Sequence, residues 1–342
     1  MTIGFNEQSE VYMGSVRLGN TGGRDFVRSA IAGALAEGGY TTAVNYGRSR
    51  WGIEISKAAV PAATFGDLGD IDLQAVDFFN LVRERSIIGR MPGIRSVPFE
   101  TVLVEVTAGT TAAFFAEGNA IPVSGFDFDA GGLPIRTYGG LTVASKDSLR
   151  ADNFENTIRD DLLRAAIDAV DSTFIDPNNA GVADVIPPSI TNGVTPVAAT
   201  ADPQADITAL VGDFDGDLGA AFLITTPALA VALHGAGYEG AGARGGEVAG
   251  IPLITSRNVP DGVIVLADAA GIQLAWEAGV ITSSNSTTLQ MDDDPNMSSA
   301  TPTGTNVVSL FDTNTIAFRV VGNANWSVRR AGSVSLVTGA EY

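Results

Sequence analysis

"ADNFENTIRDDLLRAAIDAVDSTFIDP", residues 151–177, is the stretch whose reading decides the fold. Phe154, Ile158, Leu162, Ala166, Val170 and Phe174 recur every four residues, which places them in one apolar stripe along an amphipathic helix. Asp152 can cap its start, with Glu155 reaching back three residues later, and Pro177 stops it. The spacing predicts a helix over 153–176. At ~1.5 Å per residue, about 23 residues form a strut of roughly 34 Å.

On the N-terminal side, Pro98 to Asp147 holds alternating segments, "TVLVEV" (101–106) and "FDFD" (126–129), joined by glycine clusters, which predicts a long β-hairpin. Residues 1 to about 60 are polar and glycine-rich. Asp25–Glu37 reads as a short helix on Phe26, Ile31 and Leu35, and the remainder as an extended arm. "IDLQAVDFFNLV" (71–82) predicts further helical turns, followed by Arg83, Arg85, Arg90 and Arg95. Those arginines are either a solvated loop or a cationic patch that meets acidic neighbours.

On the C-terminal side, a loose stretch (181–204) leads into strands "AFLIT" (221–225) and "GVIVLA" (262–267) alternating with short helices such as "PALAVALH" (227–234). This is a mixed α/β unit. From Asn306 the period-two pattern returns, with Ile316, Phe318 and Val320 on one face, so the chain is expected to close on a sheet.

Composition excludes several functions. The 342 residues are 45% apolar, enough for one large or two ordinary cores. With 39 acidic against 20 basic side chains the net charge is -19, so the average surface repels polyanions and sequence-specific nucleic-acid binding is not expected. The absence of cysteine removes disulfides, thiolate metal sites and cysteine nucleophiles together. "MTIGFNEQSE" lacks the basic and apolar regions of a secretory signal, which predicts an intracellular origin. The longest apolar run, Leu218–Leu233, is broken by Pro227 and falls short of the ~20 residues of a membrane helix, so no membrane partner is expected.

"HGAGYEG" (234–240) carries the G-x-G-x-x-G spacing of dinucleotide sites, with Asp261 about twenty residues on. That motif must follow a strand and open a helix. Here a helix precedes it, Gly235, Gly237 and Gly240 terminate that helix, and "AGARGGEVAGIP" (241–252) has no helical period, so a flexible loop is expected and no cofactor. Asp213, Asp215 and Asp217 match the first ligand spacings of a calcium loop, but Leu218 and Ile224 occupy the positions that need glycine and a bidentate acid. The acids at 292–294 read as a solvated loop. With His234 the only histidine and Lys57 and Lys146 the only lysines, no serine triad, histidine metal cluster or phosphate-binding P-loop can be assembled. No enzyme activity is expected.

The order of these elements resembles the major capsid proteins of tailed double-stranded DNA bacteriophages, the Hong Kong 97 fold. "AFFAEGNAIPVSGFDFD" (113–129) looks like that family's hairpin, and residues 139–175 like the strand leading into its spine helix. "GEVAGIPLITSRNVPDGVIVLADAAGIQLAW" (246–276) is similar to its axial-domain segment and "IAFRVVGNANW" (316–326) to its peripheral-domain return. The resemblance covers about residues 70–342. It implies an α+β Hong Kong 97-like capsid fold with an N-terminal arm (1–96), an E-loop hairpin (97–148), a peripheral domain (149–200 plus 301–342) holding the spine helix, and an α/β axial domain (201–300).

It further implies a structural virion protein that assembles with itself, through pentamers and hexamers, into an icosahedral shell around DNA. Portal and scaffolding or cement proteins would be partners, assembly would take place in the host cytoplasm and the virion would be the final location. Intersubunit contacts are expected at Phe114, Phe115, Glu117, Ile121, Phe126 and Phe128 of the hairpin and at Arg83, Arg85, Arg90 and Arg95. The hairpin aromatics could equally pack within the subunit. Gly235, Gly237, Tyr238 and Gly240 would lie near a capsomer axis. Some relatives crosslink through a hairpin lysine, which 113–129 lacks, so no crosslink is expected, nor is trimming of this N-terminus. An encapsulin-type nanocompartment shell and an extracellular β-rich adhesin are the alternative readings.

Overall fold

The stripe predicted for residues 153–176 is buried from Ile158 to Phe174, with Phe154 partly buried at its start. The structure, a computed structural model, describes residues 28, 31–32, 40–51, 73–108, 127–148, 154–284, 288–290, 307–330 and 332–342. In chain order come helices α1 (Tyr40–Trp51), α2 (Leu73–Arg85) and α3 (Ile87–Arg90), then strands β1 (Arg95–Ser96), β2 (Val102–Ala108), β3 (Asp127–Gly132) and β4 (Thr137–Ser145). The central helix is α4 (Phe154–Ile175). After β5 (Val197–Ala198) and α5 (Pro203–Gly212) the chain alternates through β6 (Ala221–Thr225), α6 (Pro227–Gly235), β7 (Gly246–Val248), β8 (Ile251–Thr255) and β9 (Ile264–Asp268). It ends with β10 (Ile272–Ser284), β11 (Thr288–Gln290), β12 (Val307–Ser309), β13 (Thr315–Val328) and β14 (Val334–Thr338).

Two sheets organise the fold: a four-stranded one in the order β1-β10-β13-β4 and a six-stranded one in the order β5-β14-β9-β6-β8-β7. Alternate residues of the six-stranded sheet enter different cores. Ile224, Ile254, Val265 and Leu336 join one cluster, while Leu223, Leu253, Ile264 and Val337 join another with α5 and α6 residues such as Leu210 and Leu233. Burial on both faces explains why β6 and β9 read as unbroken apolar runs.

Helix α4 joins the two sheets. Ile158, Leu162 and Ala166 pack with Phe78 and Phe79 of α2 and with Ile316, Phe318 and Val320 of β13. One and two turns further on, Val170 and Phe174 enter the cluster that also holds residues of the six-stranded sheet. There Phe174 meets Trp326 edge to face, 5.2 Å between ring centres. The helix stops before Pro177, and its last carbonyls are not orphaned: Phe174 O accepts from Ile190 N and Ile175 O from the Thr191 hydroxyl, both at 3.0 Å. The cap expected from Asp152 lies outside the described residues.

Polar residues on the flank of α4 hold a second junction. The Asp171 carboxylate, 2% exposed, accepts from Ile87 N of α3 at 2.8 Å and from the Ser256 hydroxyl beyond β8 at 3.4 Å. One turn earlier Asp168 accepts from Asn258 at 2.9 Å and pairs with Arg257. Arg90 of α3 completes the junction, donating to Thr255 O at 2.6 Å.

Several expectations change. The extended arm does not hold for residues 40–51, which are helical, and 73–96 are part of the packed unit, with Phe78, Phe79, Val82, Ile87 and Ile88 at most 2% exposed. Of the helix expected at Asp25–Glu37, only Arg28, Ile31 and Ala32 are described; they are helical, and Ile31 and Ala32 are buried. The divisions at 200/201 and 300/301 do not follow the strand pairing. Strand β10, within the expected axial segment, pairs with β13 in the four-stranded sheet, whereas the C-terminal β14 pairs with β9 in the six-stranded one. Period-two patterning shows that a segment is a strand, but hydrogen-bond partners far off in sequence decide its sheet. At one point that pairing demands glycine: β10 has a bulge between Glu277 and Val280, where a Cβ on Gly279 would lie 1.6 Å from Val321 O.

Two outcomes follow for stability. Phe174→Ala is expected to cost about 3–5 kcal/mol through the cavity it leaves against Trp326, read as a lower denaturant midpoint at unchanged slope. Burial pushes the Asp171 carboxyl up from 3.8 to about 7, against hydrogen bonds from Ile87, Asn258 and Ser256 and the nearby Arg90 charge. Between those values the folded chain binds the proton and the unfolded chain does not, so this contribution is complete below about pH 4 and lost as pH rises through about 7. Asp171→Asn should therefore gain stability relative to the parent as pH is raised from 5 to 8; a difference independent of pH in paired thermal melts would contradict this.

Candidate assembly interface

The hairpin expected near residue 113 has its base in place. Strands β2 and β3 pair antiparallel, Val102 with Gly132 and Val106 with Phe128, with one irregularity before Ala108. Glu100 N donates to Leu133 O at 2.9 Å, and Val97 and Leu133 pack with Ala275 of β10, rooting the ribbon on the four-stranded sheet. Phe128 lies on β3. Phe114, Phe115, Glu117, Ile121 and Phe126 lie outside the described residues.

The four expected arginines do not form one loop or one patch. Arg83 and Arg85 occupy the last turn of α2, a favourable end for cations, and Arg95 is exposed on the short edge strand β1. Arg90 points inward to Thr255 O and the Asp171 junction, so it is spent within the subunit. The structure instead brings Arg85 together with Arg159, Arg164 and Arg257 around a groove of about 420 Å³ along α4. Within it Arg159 pairs with Asp160 at 2.7 Å and Arg257 with Asp168, while Arg85 and Arg164 have no ion-pair partner among the described residues. Arg159 and Arg164 were visible beside the apolar stripe, but nothing local in the sequence aligns them with Arg85.

The glycine loop after α6 has its own local structure. Tyr238 N donates to Leu233 O at 3.2 Å, Ala241 N to Tyr238 O at 2.9 Å and Glu247 N to Gly240 O at 3.0 Å. The loop is therefore a hydrogen-bonded turn rather than the flexible segment expected. Two of its glycines are needed for close approach: a Cβ on Gly240 would lie 2.7 Å from Glu247 O, and one on Gly246, at φ 138°, 2.0 Å from Gly240 O. Gly235, Gly237 and Gly240 are exposed. Tyr238 is half-buried against the six-stranded sheet, and burial, then the Asp202 charge, raises its phenol above the usual range. Helix α6 ends at this loop and a β-strand follows it, which leaves no helix N-terminus there to receive a pyrophosphate.

Asp213, Asp215 and Asp217 are exposed on the turn before β6, where Asp217 accepts from Gly219 N at 2.9 Å. Among the described residues no three acids or histidines converge as a metal site. Nor, among them, is any helix long and apolar enough to cross a membrane.

No family model matches the chain. It is 33% identical over 321 residues to the capsid polyprotein of Pseudomonas phage PAJU2, a match that covers 84% of this chain and 48% of that protein. The chain thus spans about half the length of the curated relative it matches. Among solved phage capsid structures, a chain from Mycobacterium phage Adephagia superposes with a TM-score of 0.54 at 14% identity, covering 75% of this chain and 91% of that one. One from Gordonia phage Cozz gives 0.50 at 16% identity, covering 72% and 85%. By sequence the chain is similar to a phage capsid polyprotein, and its fold is that of Hong Kong 97-type phage capsid structures.

Proposed function

We propose that this chain is a major capsid subunit, a structural protein and not an enzyme, that assembles with its own copies into an icosahedral shell enclosing double-stranded DNA. The observation that carries this reading is the 33% identity to a phage capsid polyprotein over 84% of the chain, on a fold shared with phage capsid structures. A phage relative favours a viral shell over a nanocompartment, and the fold leaves the adhesin reading without support. Two physical features agree. A two-stranded ribbon rooted on one sheet offers both its faces to neighbours, so it supplies interface area from few residues. An acidic chain also makes a wall that does not grip packed polyanion.

In this reading the four-stranded sheet with α4 is the peripheral domain and the six-stranded sheet with α5 and α6 the axial domain. The β2–β3 ribbon is the base of the E-loop, with the hairpin aromatics as its contacts, and the arm lies N-terminal to α2. The loop holding Gly235, Gly237, Tyr238 and Gly240 faces a capsomer axis, and Arg83, Arg85 and Arg95 are contacts on the outside of the fold. A portal and a scaffolding or cement protein are the expected further partners, and assembly takes place in the host cytoplasm.

Size-exclusion chromatography followed by negative-stain electron microscopy of the purified chain tests this. Shells, or rings of five and six subunits, are expected, with DNA rather than a cargo enzyme inside particles recovered from infected cells. A chain that remains monomeric under crowding and at every salt concentration would refute the reading.

A further inference from the structure

The axial sheet separates two patches of opposite charge. At one end lies the arginine groove, closed by Ser256–Asn258 just after β8; at the other lies the turn bearing Asp213, Asp215 and Asp217, just before β6. Strands β6 and β8 run parallel in register, Leu223 opposite Leu253 and Thr225 opposite Thr255, so the start of one and the end of the other are at opposite ends of the sheet. Five residues of strand set them about 16 Å apart. Each patch has charge left over. Arg85 and Arg164 are unpaired among the described residues after Arg159, Arg257 and Arg90 are matched by Asp160, Asp168 and Asp171. Opposite them Asp213 and Asp215 have exposed carboxylates without a partner among the described residues, in a chain whose acids outnumber its bases 39 to 20.

We infer that the arginine groove along α4 receives the Asp213–Asp215 turn of a second copy of this chain, in a head-to-tail contact. This rests on the self-assembly reading above and deepens it by naming the partner surface. Complementary patches at two ends of one unit make a heterologous interface, which repeats around a ring and closes if the rotation permits. The groove suits this because its floor is rigid. Asp171 and Asp168 are tied to α3 and to the Ser256–Asn258 loop, so the arginines are presented by packed helices rather than by free loops. Carboxylates fit better than phosphate here, since Asp160 and Asp168 line the same groove and offset two of its four arginines, leaving a surplus of only about two charges, too few for a polyanion to overcome the net charge of the chain.

A charge-swap series followed by light scattering and electron microscopy tests the contact. Arg85→Glu with Arg164→Glu should abolish rings, as should Asp213→Arg with Asp215→Arg, and the chain carrying all four changes should assemble again; that rescue also shows that the variants fold. Assembly of the parent should slow about tenfold or more from roughly 0.05 to 0.5 M salt, as a contact of charged groups requires. Arg319→Glu, exposed on β13 and outside both patches, should assemble like the parent. If the parent assembles and both reversed pairs do so equally well, or the fourfold variant is not rescued, the contact is wrong and the shell reading stands. If the arginine pair alone matters, and its loss abolishes retention of duplex DNA measured by fluorescence anisotropy, the groove serves nucleic acid and the inference is overturned. A parent that never assembles refutes the shell reading itself, and the contact with it.

Discussion

The burial of one face of α4 is the constraint on which the rest depends. A 22-residue helix with a continuous apolar stripe cannot leave it in water, and no single sheet of this size covers it. The four-stranded sheet and α2 cover the first part, and the cluster shared with the six-stranded sheet covers the last. The helix is therefore the member that fixes the two sheets against each other. That explains why Phe174, at the handover, is fully buried and Trp326 against it nearly so. Packing at this point is not interchangeable with packing elsewhere, because a loss here loosens two units at once.

Apolar burial sets distance but constrains direction poorly, and the polar flank of α4 supplies the direction. Asp168 and Asp171 lie one turn apart on the helix and bind groups 84 to 90 residues away in sequence, on α3 and on the loop after β8. Burying a carboxylate is unfavourable unless its bonds are satisfied, so such a junction tolerates one arrangement and penalises others. Its raised affinity for a proton is the measure of that desolvation. The junction also decides which arginines remain for other molecules. Arg90 is consumed inside, whereas Arg85 and Arg164 are held at the rim of a groove whose walls do not move freely.

A shell subunit has many contacts that need not be strong singly, because each neighbour raises the effective concentration of the next. This chain is built in keeping with that. It has no disulfide to staple it and carries a large excess of acid, so under the proposed assembly any attraction between copies is local and directional rather than general. A ribbon projecting from one sheet and charge separated across the other offer two such directional features, one mainly of area and one of sign.

Legibility in the sequence followed the range of each interaction. The α4 stripe, the strand "AFLIT", the helix "PALAVALH" and the hairpin base were readable because periodicity, capping and proline stops are properties of neighbouring residues. The lack of cysteine nucleophiles, histidine metal clusters and a phosphate-binding P-loop was equally readable, since a chain with no cysteine, one histidine and two lysines lacks those parts. What only the tertiary structure decided is non-local: β14 joining β9 while β13 joins β10, Arg90 turning inward while Arg85 and Arg164 line one groove, and Gly240 of "HGAGYEG" fitting against backbone at Glu247 rather than a ligand. Sequence by itself determined the elements and their faces, because side-chain polarity and backbone preference act within a few residues. Which face meets which was left to the packed chain, because hydrogen-bond register and buried charge pairs are chosen between segments tens to nearly two hundred residues apart.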